Sequence, residues 1–210
     1  MRKRRLDVSL YLVTDPHGLS ATIESMVEEA IGGGVSLVQI REKEADSRTF
    51  YCRALALKKV TDAYQIPLII NDRLDIMLAT DADGVHLGQS DLPIKEARRI
   101  LGEGKIIGAS AHSVKEALQA EQEGADYIGA GAIFATYTKK DTSVMALETL
   151  RAICDAVSIP VVAIGGITAE NMHYFKEAGI AGVAVSSAIL HSQNPRLAAG
   201  ELKRGLGAAW

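Results

Sequence analysis

Short apolar runs alternate with longer amphipathic stretches from one end of the chain to the other. Residues 9–13, 36–40, 67–70, 84–87, 106–110, 127–134, 160–164 and 183–185 are apolar without a two-residue alternation. Strands of that kind belong to parallel sheets covered by helices on both faces. The stretches between them carry the helical period. A helix is expected from a cap at Ser20 or Thr22 to Ile31, stopped by Gly32-Gly33-Gly34. A second runs over 47–64, capped by Asp46 or Ser47, and a short one joins the third and fourth strands. Pro93 opens a helix to Leu101, followed by helices over 114–123, 147–156, 168–178 (capped by Thr168) and 195–206.

Eight β/α units fill 210 residues with no linker and no low-complexity segment. That fits an α/β fold of one domain, a (β/α)₈ TIM barrel over residues 1–210, with 1–7 as a basic N-terminal tail. A doubly wound open sheet is the runner-up. The strand ends favour the barrel: Asp15, Arg41, Asn71, Gln89, Ser110, Thr136, Gly165 and Ser186 place polar or small residues after nearly every strand. An open sheet gathers its site at one switch point, whereas a barrel draws on all its strands.

Composition narrows the function classes. A net charge of −3 gives no whole-domain field for nucleic acid, and the Arg2-Lys3-Arg4-Arg5 cluster is local and terminal. The segment after it is short, is broken by Asp7 and Asp15, and has no cleavage site of a secretory signal; no run reaches membrane-spanning length. Cys52 and Cys154 lie far apart in helical patterns, as reduced cysteines of a cytoplasmic protein do. The five histidines form no HxxxH pair, so no zinc site is expected.

The chemistry gathers at the strand tips. Asn71-Asp72 and the Gly88-Gln89-Ser90-Asp91 turn follow consecutive strands, so Asp72 and Asp91 reach one rim. Two carboxylates with an amide beside them suit Mg²⁺; the plain alternative is a pair of solvated loop aspartates. Gln39, Arg41 and Lys43 are spaced by two and point one way while the strand stays extended, with Val38 and Ile40 turned to the helices. Two inward cations need an anion, either Glu42 or Glu44 or, favoured by parity, an anionic ligand. Gly165-Gly166 after the seventh strand, with Ser186-Ser187 opposite, forms a monophosphate turn at the usual phosphate position of such barrels. Thr136, Thr138, Lys139, Lys140 and Asp141 lie in the longest loop after any strand; taken alone this reads as a solvated basic turn, and with the rest as a lid over phosphoryl oxygens. A diphosphate held through a metal and a separate monophosphate on one rim mean transfer between them, with pyrophosphate displaced from carbon. No Ser-His-Asp or Cys-His nucleophile is apparent, and His112 is one candidate base among several.

Assembled, these residues resemble the thiamine-phosphate synthase (thiamine-phosphate pyrophosphorylase) family over residues 10–189. The likeness is carried by YLVTD, VQIREK, IINDR, DGVHLGQSD, IGASAHS, GADYIGAGAIF with the TKKD loop, IPVVAIGGI and GVAVSSAI. The resemblance implies a (β/α)₈ transferase that joins hydroxymethylpyrimidine diphosphate to thiazole phosphate, or its carboxylated form, and releases pyrophosphate through a stabilised pyrimidine cation. By position, Asp72 and Asp91 would bind Mg²⁺. Gln39, Arg41, Lys43, Asn71, Ser110 and Lys139 would hold the pyrimidine diphosphate, with Arg41, Lys43, Ser110 and Lys139 as the catalytic set. Thr136, Thr138, Gly166, Ser186 and Ser187 would hold the thiazole phosphate. The family pattern carries proline where this chain has Ala132 and Ala135, and glycine where it has Ala146. Two other readings share the fold: a thiazole tautomerase that needs no metal, and a non-catalytic barrel binding a phosphorylated thiazole. The intact Asp72, Asp91, Thr138, Lys139 and Asp141 favour the synthase. The implied partners are small-molecule substrates, with no nucleic acid and no membrane; a homo-oligomer stays open.

Overall fold

Strands buried on both faces close upon themselves. The structure is a computed structural model that describes residues 6–17, 19–135 and 144–209; residues 1–5 of the expected basic tail lie outside them. The strands are β1 (Leu10–Val13), β2 (Leu37–Ile40), β3 (Leu68–Asn71), β4 (Gly84–Leu87), β5 (Ile106–Ala111), β6 (Tyr127–Gly131), β7 (Val161–Ile164) and β8 (Gly182–Val185). Each pairs in parallel with its neighbours in sequence, and β8 pairs with β1. The sheet is therefore a closed barrel, and the open doubly wound alternative falls. The helices are α1 (Ile23–Gly32), α2 (Ser47–Ala63), α3 (Leu74–Thr80), α4 (Ile94–Leu101), α5 (Val114–Gln122), α6 (Leu147–Ala156), α7 (Ser187–Leu190) and α8 (Pro195–Ala209). Among the described residues no helix is long and apolar enough to cross a membrane.

The two-residue period of each strand divides the core. Leu12, Val38, Ile40, Ile70, Val85 and Leu87 join the cluster packed under the helices. Tyr11, Val13, Leu37, Ile69, Tyr127, Val162 and Ala184 form a separate cluster within the barrel. Helix starts are set by side chains that satisfy free backbone N–H groups: Thr22 accepts from Ser25, Asp46 from Thr49 and Ser113 from Glu116.

Three elements differ from the sequence reading. The sixth strand ends at Gly131 rather than at Phe134. Ile133 and Phe134 donate instead to the carbonyls of Ile164 and Gly165, and the Phe134 ring packs on Tyr174 and Phe175. Their apolarity serves a turn, not a strand. The element after Thr168 is a 3-10 helix, Ala169–Phe175, tied by a reciprocal Thr168–Asn171 capping box. The eighth strand stops at Val185 as expected, but the residues after it form an additional short helix, α7. The apolar SAIL segment that forms α7 is too short to show a helical period.

Opposite the strand tips, Arg98 of α4 fastens the loops that feed β5 and β6. Its guanidinium donates to the carbonyls of Gly102, Lys105 and Gly124 and to Asp126, which also accepts from the Ile107 N–H. With Arg98 only 12% exposed in its side chain, removal leaves several carbonyls without this donor and takes the cation from the Asp126 carboxylate. Arg98→Ala is expected to lower unfolding free energy by about 3 kcal/mol in urea denaturation, the cost of breaking a largely buried pair.

Candidate active site

The strand tips converge on one cavity of about 430 Å³. It is lined by Gln39, Arg41, Lys43, Asn71, Asp72, Asp91, Ser110, Gly166, Ser186 and Ser187, every described residue expected at the site. Thr136, Thr138, Lys139, Lys140 and Asp141 lie outside the described residues. Asp15 is not among the lining residues and instead meets the His17 ring at 2.7 Å. His112 lines the rim, half-exposed, and its ring faces Glu116 at 3.3 Å.

The carboxylate end is built from two tight turns. Asp72 leaves β3 in the left-handed region, at φ 61°, and its N–H donates to the His86 carbonyl at 2.8 Å. Aspartate and asparagine tolerate that conformation better than other side-chain-bearing residues. Asp91 folds back over its own turn and accepts from the Gly88 N–H at 2.7 Å. Burial raises the Asp91 carboxyl above the usual carboxylate range, and the adjoining Asp72 carboxylate raises it further. Two carboxylates forced together in this way repel, and a cation beside them, whether a lysine or a divalent metal, would relieve the repulsion. No group of three or more His, Cys, Asp or Glu side chains suited to a metal occurs among the described residues. A hard cation held by Asp72 and Asp91 would therefore draw its other ligands from water or a bound anion, as Mg²⁺ does.

The cations beside this pair are arranged differently from the sequence reading. Lys43 forms an ion pair with Asp72, so its partner is neither Glu42 nor Glu44. Glu42 turns away to Arg53 at 2.7 Å. Arg41 makes no side-chain ion pair or hydrogen bond among the described residues; its N–H is held by the buried Thr14 hydroxyl at 3.1 Å. Among the described residues, the Arg41 guanidinium at the cavity thus has no anionic partner of its own.

The opposite wall is the turn after β7. Gly165 and Gly166 adopt φ 104° and 62°. A Cβ on Gly166 would stand 2.7 Å from the Ala135 carbonyl oxygen and 2.8 Å from Phe134 Cβ. The glycine is thus required by the chain's own packing as well as by any approaching anion. Asn171 fixes the turn by donating to the Gly166 carbonyl at 2.8 Å. Across from it, the buried Ser186 hydroxyl has no hydrogen-bond partner among the described residues. A buried polar group left unsatisfied costs free energy, which makes this hydroxyl a candidate for a ligand contact in the cavity wall.

The cavity floor holds residues that motif reading passed over. The Gln39 amide nitrogen donates to the Tyr11 hydroxyl at 2.6 Å, and Tyr11 meets the Tyr127 hydroxyl at 2.7 Å. His86 lies 3.0 Å from Tyr127 through Nδ1 and 3.0 Å from the Ser110 hydroxyl through Nε2. The signal was present in the parity of β4: Val85 and Leu87 face the helices, so His86 faces inward.

Comparison with known proteins follows from this geometry. The family model for thiamine monophosphate synthase matches residues 10–189. The chain is 54% identical to the thiamine-phosphate synthase of Ruminiclostridium cellulolyticum, over 95% of this chain and 96% of that protein. It is 52% identical to the thiamine-phosphate synthase of Methanobrevibacter smithii, over 94% of each. The thiamine phosphate pyrophosphorylase structure from Pyrococcus furiosus superposes with a TM-score of 0.88 at 41% identity, covering 98% of both chains. With this fold, this rim and this likeness along nearly its whole length, the chain belongs to the thiamine monophosphate synthase family and is a transferase of thiamine biosynthesis.

Proposed function

We propose that the cavity condenses hydroxymethylpyrimidine diphosphate with thiazole phosphate, or its carboxylated form, by a dissociative displacement of pyrophosphate. The observation that carries this reading is the pairing of two unlike anion stations on one cavity. Asp72 and Asp91 with Lys43 and Arg41 stand at one side, and Gly166 with the Ser186 hydroxyl, unpartnered among the described residues, at the other.

At the first station Asp72 and Asp91 would hold Mg²⁺, which when bound neutralises charge on the diphosphate leaving group. Arg41, Asn71 and Ser110 orient the pyrimidine diphosphate, and Lys43 exchanges its Asp72 carboxylate for phosphoryl oxygens. Lys139, by its position in the sequence motif, would add a further cation for the diphosphate. The bond that breaks joins the methylene carbon to the diphosphate oxygen, and both electrons leave with pyrophosphate. Tyr11, Val162, Ile164 and Ala184 give the floor an apolar character that keeps water from the electron-poor carbon. At the second station Gly166, Ser186 and Ser187, with Thr136 and Thr138 by sequence position, hold the thiazole phosphate. The thiazole nitrogen lone pair then forms the new carbon–nitrogen bond. A coupled pyrophosphate-release assay with both substrates tests the reading: release should require both of them and Mg²⁺. Absence of release under those conditions would sink it.

Asp72→Asn and Asp91→Asn keep the turns, because asparagine tolerates the left-handed region and retains an acceptor for Gly88. Both should fold with an unchanged melting temperature and lose roughly a hundredfold or more in kcat at saturating Mg²⁺. Ser186→Ala should separate stability from function. Deleting an unsatisfied buried hydroxyl leaves stability equal or raises it by up to about 1 kcal/mol in thermal unfolding. The same change should raise KM for the thiazole phosphate about tenfold and leave KM for the pyrimidine diphosphate within about twofold.

A further inference from the structure

Five side chains from five strands form one hydrogen-bonded chain under the cavity: Gln39, Tyr11, Tyr127, His86 and Ser110. Three of them, Tyr11, Tyr127 and His86, are buried, and the displacement described above uses none of their polar groups. The chain is held closely. The Tyr11 and Tyr127 rings meet edge to face, 5.7 Å apart, and the His86 ring lies 5.6 Å from that of Tyr127. The neighbouring strands are cut back to admit them: a Cβ on Gly108 would stand 2.1 Å from Tyr127 Cζ, and one on Gly129 would stand 3.1 Å from His86 Cε1.

The order of donors follows from one end. The amide nitrogen of Gln39 can only donate, so the Tyr11 oxygen accepts. The Tyr11 proton then goes to Tyr127, its remaining partner. Tyr127, accepting from Tyr11, turns its own proton to His86 Nδ1. A neutral imidazole that accepts at Nδ1 carries its proton at Nε2, and Nε2 faces Ser110. The Ser110 oxygen accepts there, and its proton is left to point into the cavity that Ser110 lines. Burial pushes both phenols well above their ordinary pKa, so neither gives up the proton that the order requires. With the Gln39 amide reversed, every donor would reverse. Ser110 would then donate to His86 and offer the ligand only lone pairs.

We propose that Tyr11, Tyr127 and His86 are positioning residues whose ordered hydrogen bonds fix His86 as its Nε2-protonated tautomer and make Ser110 a hydrogen-bond donor to an acceptor lone pair of the pyrimidine diphosphate. This rests on the substrate reading above, and the relay explains why Ser110 would serve as donor rather than acceptor.

Two measurements test it. Nitrogen NMR of histidine-labelled, ligand-free protein at neutral pH, with the His86 signals identified by their loss in His86→Gln, should show Nε2 protonated and Nδ1 accepting. A proton on Nδ1, or a mixture of tautomers, overturns the proposal whatever the substrate. The second measurement is a double-mutant cycle on kcat/KM with Tyr127→Phe and Ser110→Ala. Tyr127→Phe should cost about tenfold in the native background and less than about twofold in the Ser110→Ala background, because Tyr127 acts through Ser110. Equal losses in both backgrounds would mean a merely structural tyrosine and would overturn the relay. If Tyr127→Phe does not fold, His86→Gln enters the cycle in its place with the same expectation. A native protein with no Mg²⁺-dependent pyrophosphate release defeats the substrate reading and leaves the tautomer measurement to decide the relay.

Discussion

The contact between the Tyr11 and Tyr127 hydroxyls, 2.7 Å apart inside the barrel, determines how much of its interior can be filled. Two buried phenols must each find partners, because a hydroxyl removed from water without one is costly. Gln39 and His86 supply them, and Gly108 and Gly129 make the space. Leu37, Ile69 and Val162 pack with the two rings inside the barrel. The cavity lies against this layer, with Tyr11, Gln39, His86 and Ser110 in its lining. The floor of the site is thus the upper limit of the core, and binding residues are displayed from a rigid base.

Around the rim, charge is largely compensated within the protein. Lys43 holds Asp72, Arg53 holds Glu42, and His17 holds Asp15. Asp15 and a neighbouring Glu44 raise the affinity of His17 for its proton, which keeps that corner closer to neutral overall. Arg41 is the exception, with no side-chain ionic partner among the described residues. Under the proposed function, an incoming diphosphate would meet the Arg41 charge and could draw Lys43 from its carboxylate.

Much of the barrel was legible because its rule is local. Runs such as LIIN and GVHL are buried on both faces, and capping residues such as Thr22, Asp46 and Ser113 stand where the helices begin. Strand parity placed Gln39 inward and Val38 and Ile40 outward, as found. Parity did not extend past the strand end, and so the carboxylate beside Lys43 was not foreseen: Asp72 comes from the next strand and no spacing within β2 reports it. The overlong sixth strand failed for a related reason, since Phe134 is apolar through contact with Tyr174 and Phe175, some forty residues away in sequence. Tyr11, His86 and Tyr127 were missed because each looks like an ordinary strand residue until three strands are brought together.

The backbone at Asp72 has a consequence for how such a site can be lost. Its left-handed φ of 61° disfavours most replacements on folding grounds, whereas asparagine and glycine are accommodated with the least strain. Both lie a single base change from an aspartate codon. A lineage released from selection for the carboxylate could therefore drift away from it by the shortest genetic route without weakening the barrel. Descendants of that kind would remain abundant, well-folded proteins with an emptied chemistry, and nothing in their stability would record the change.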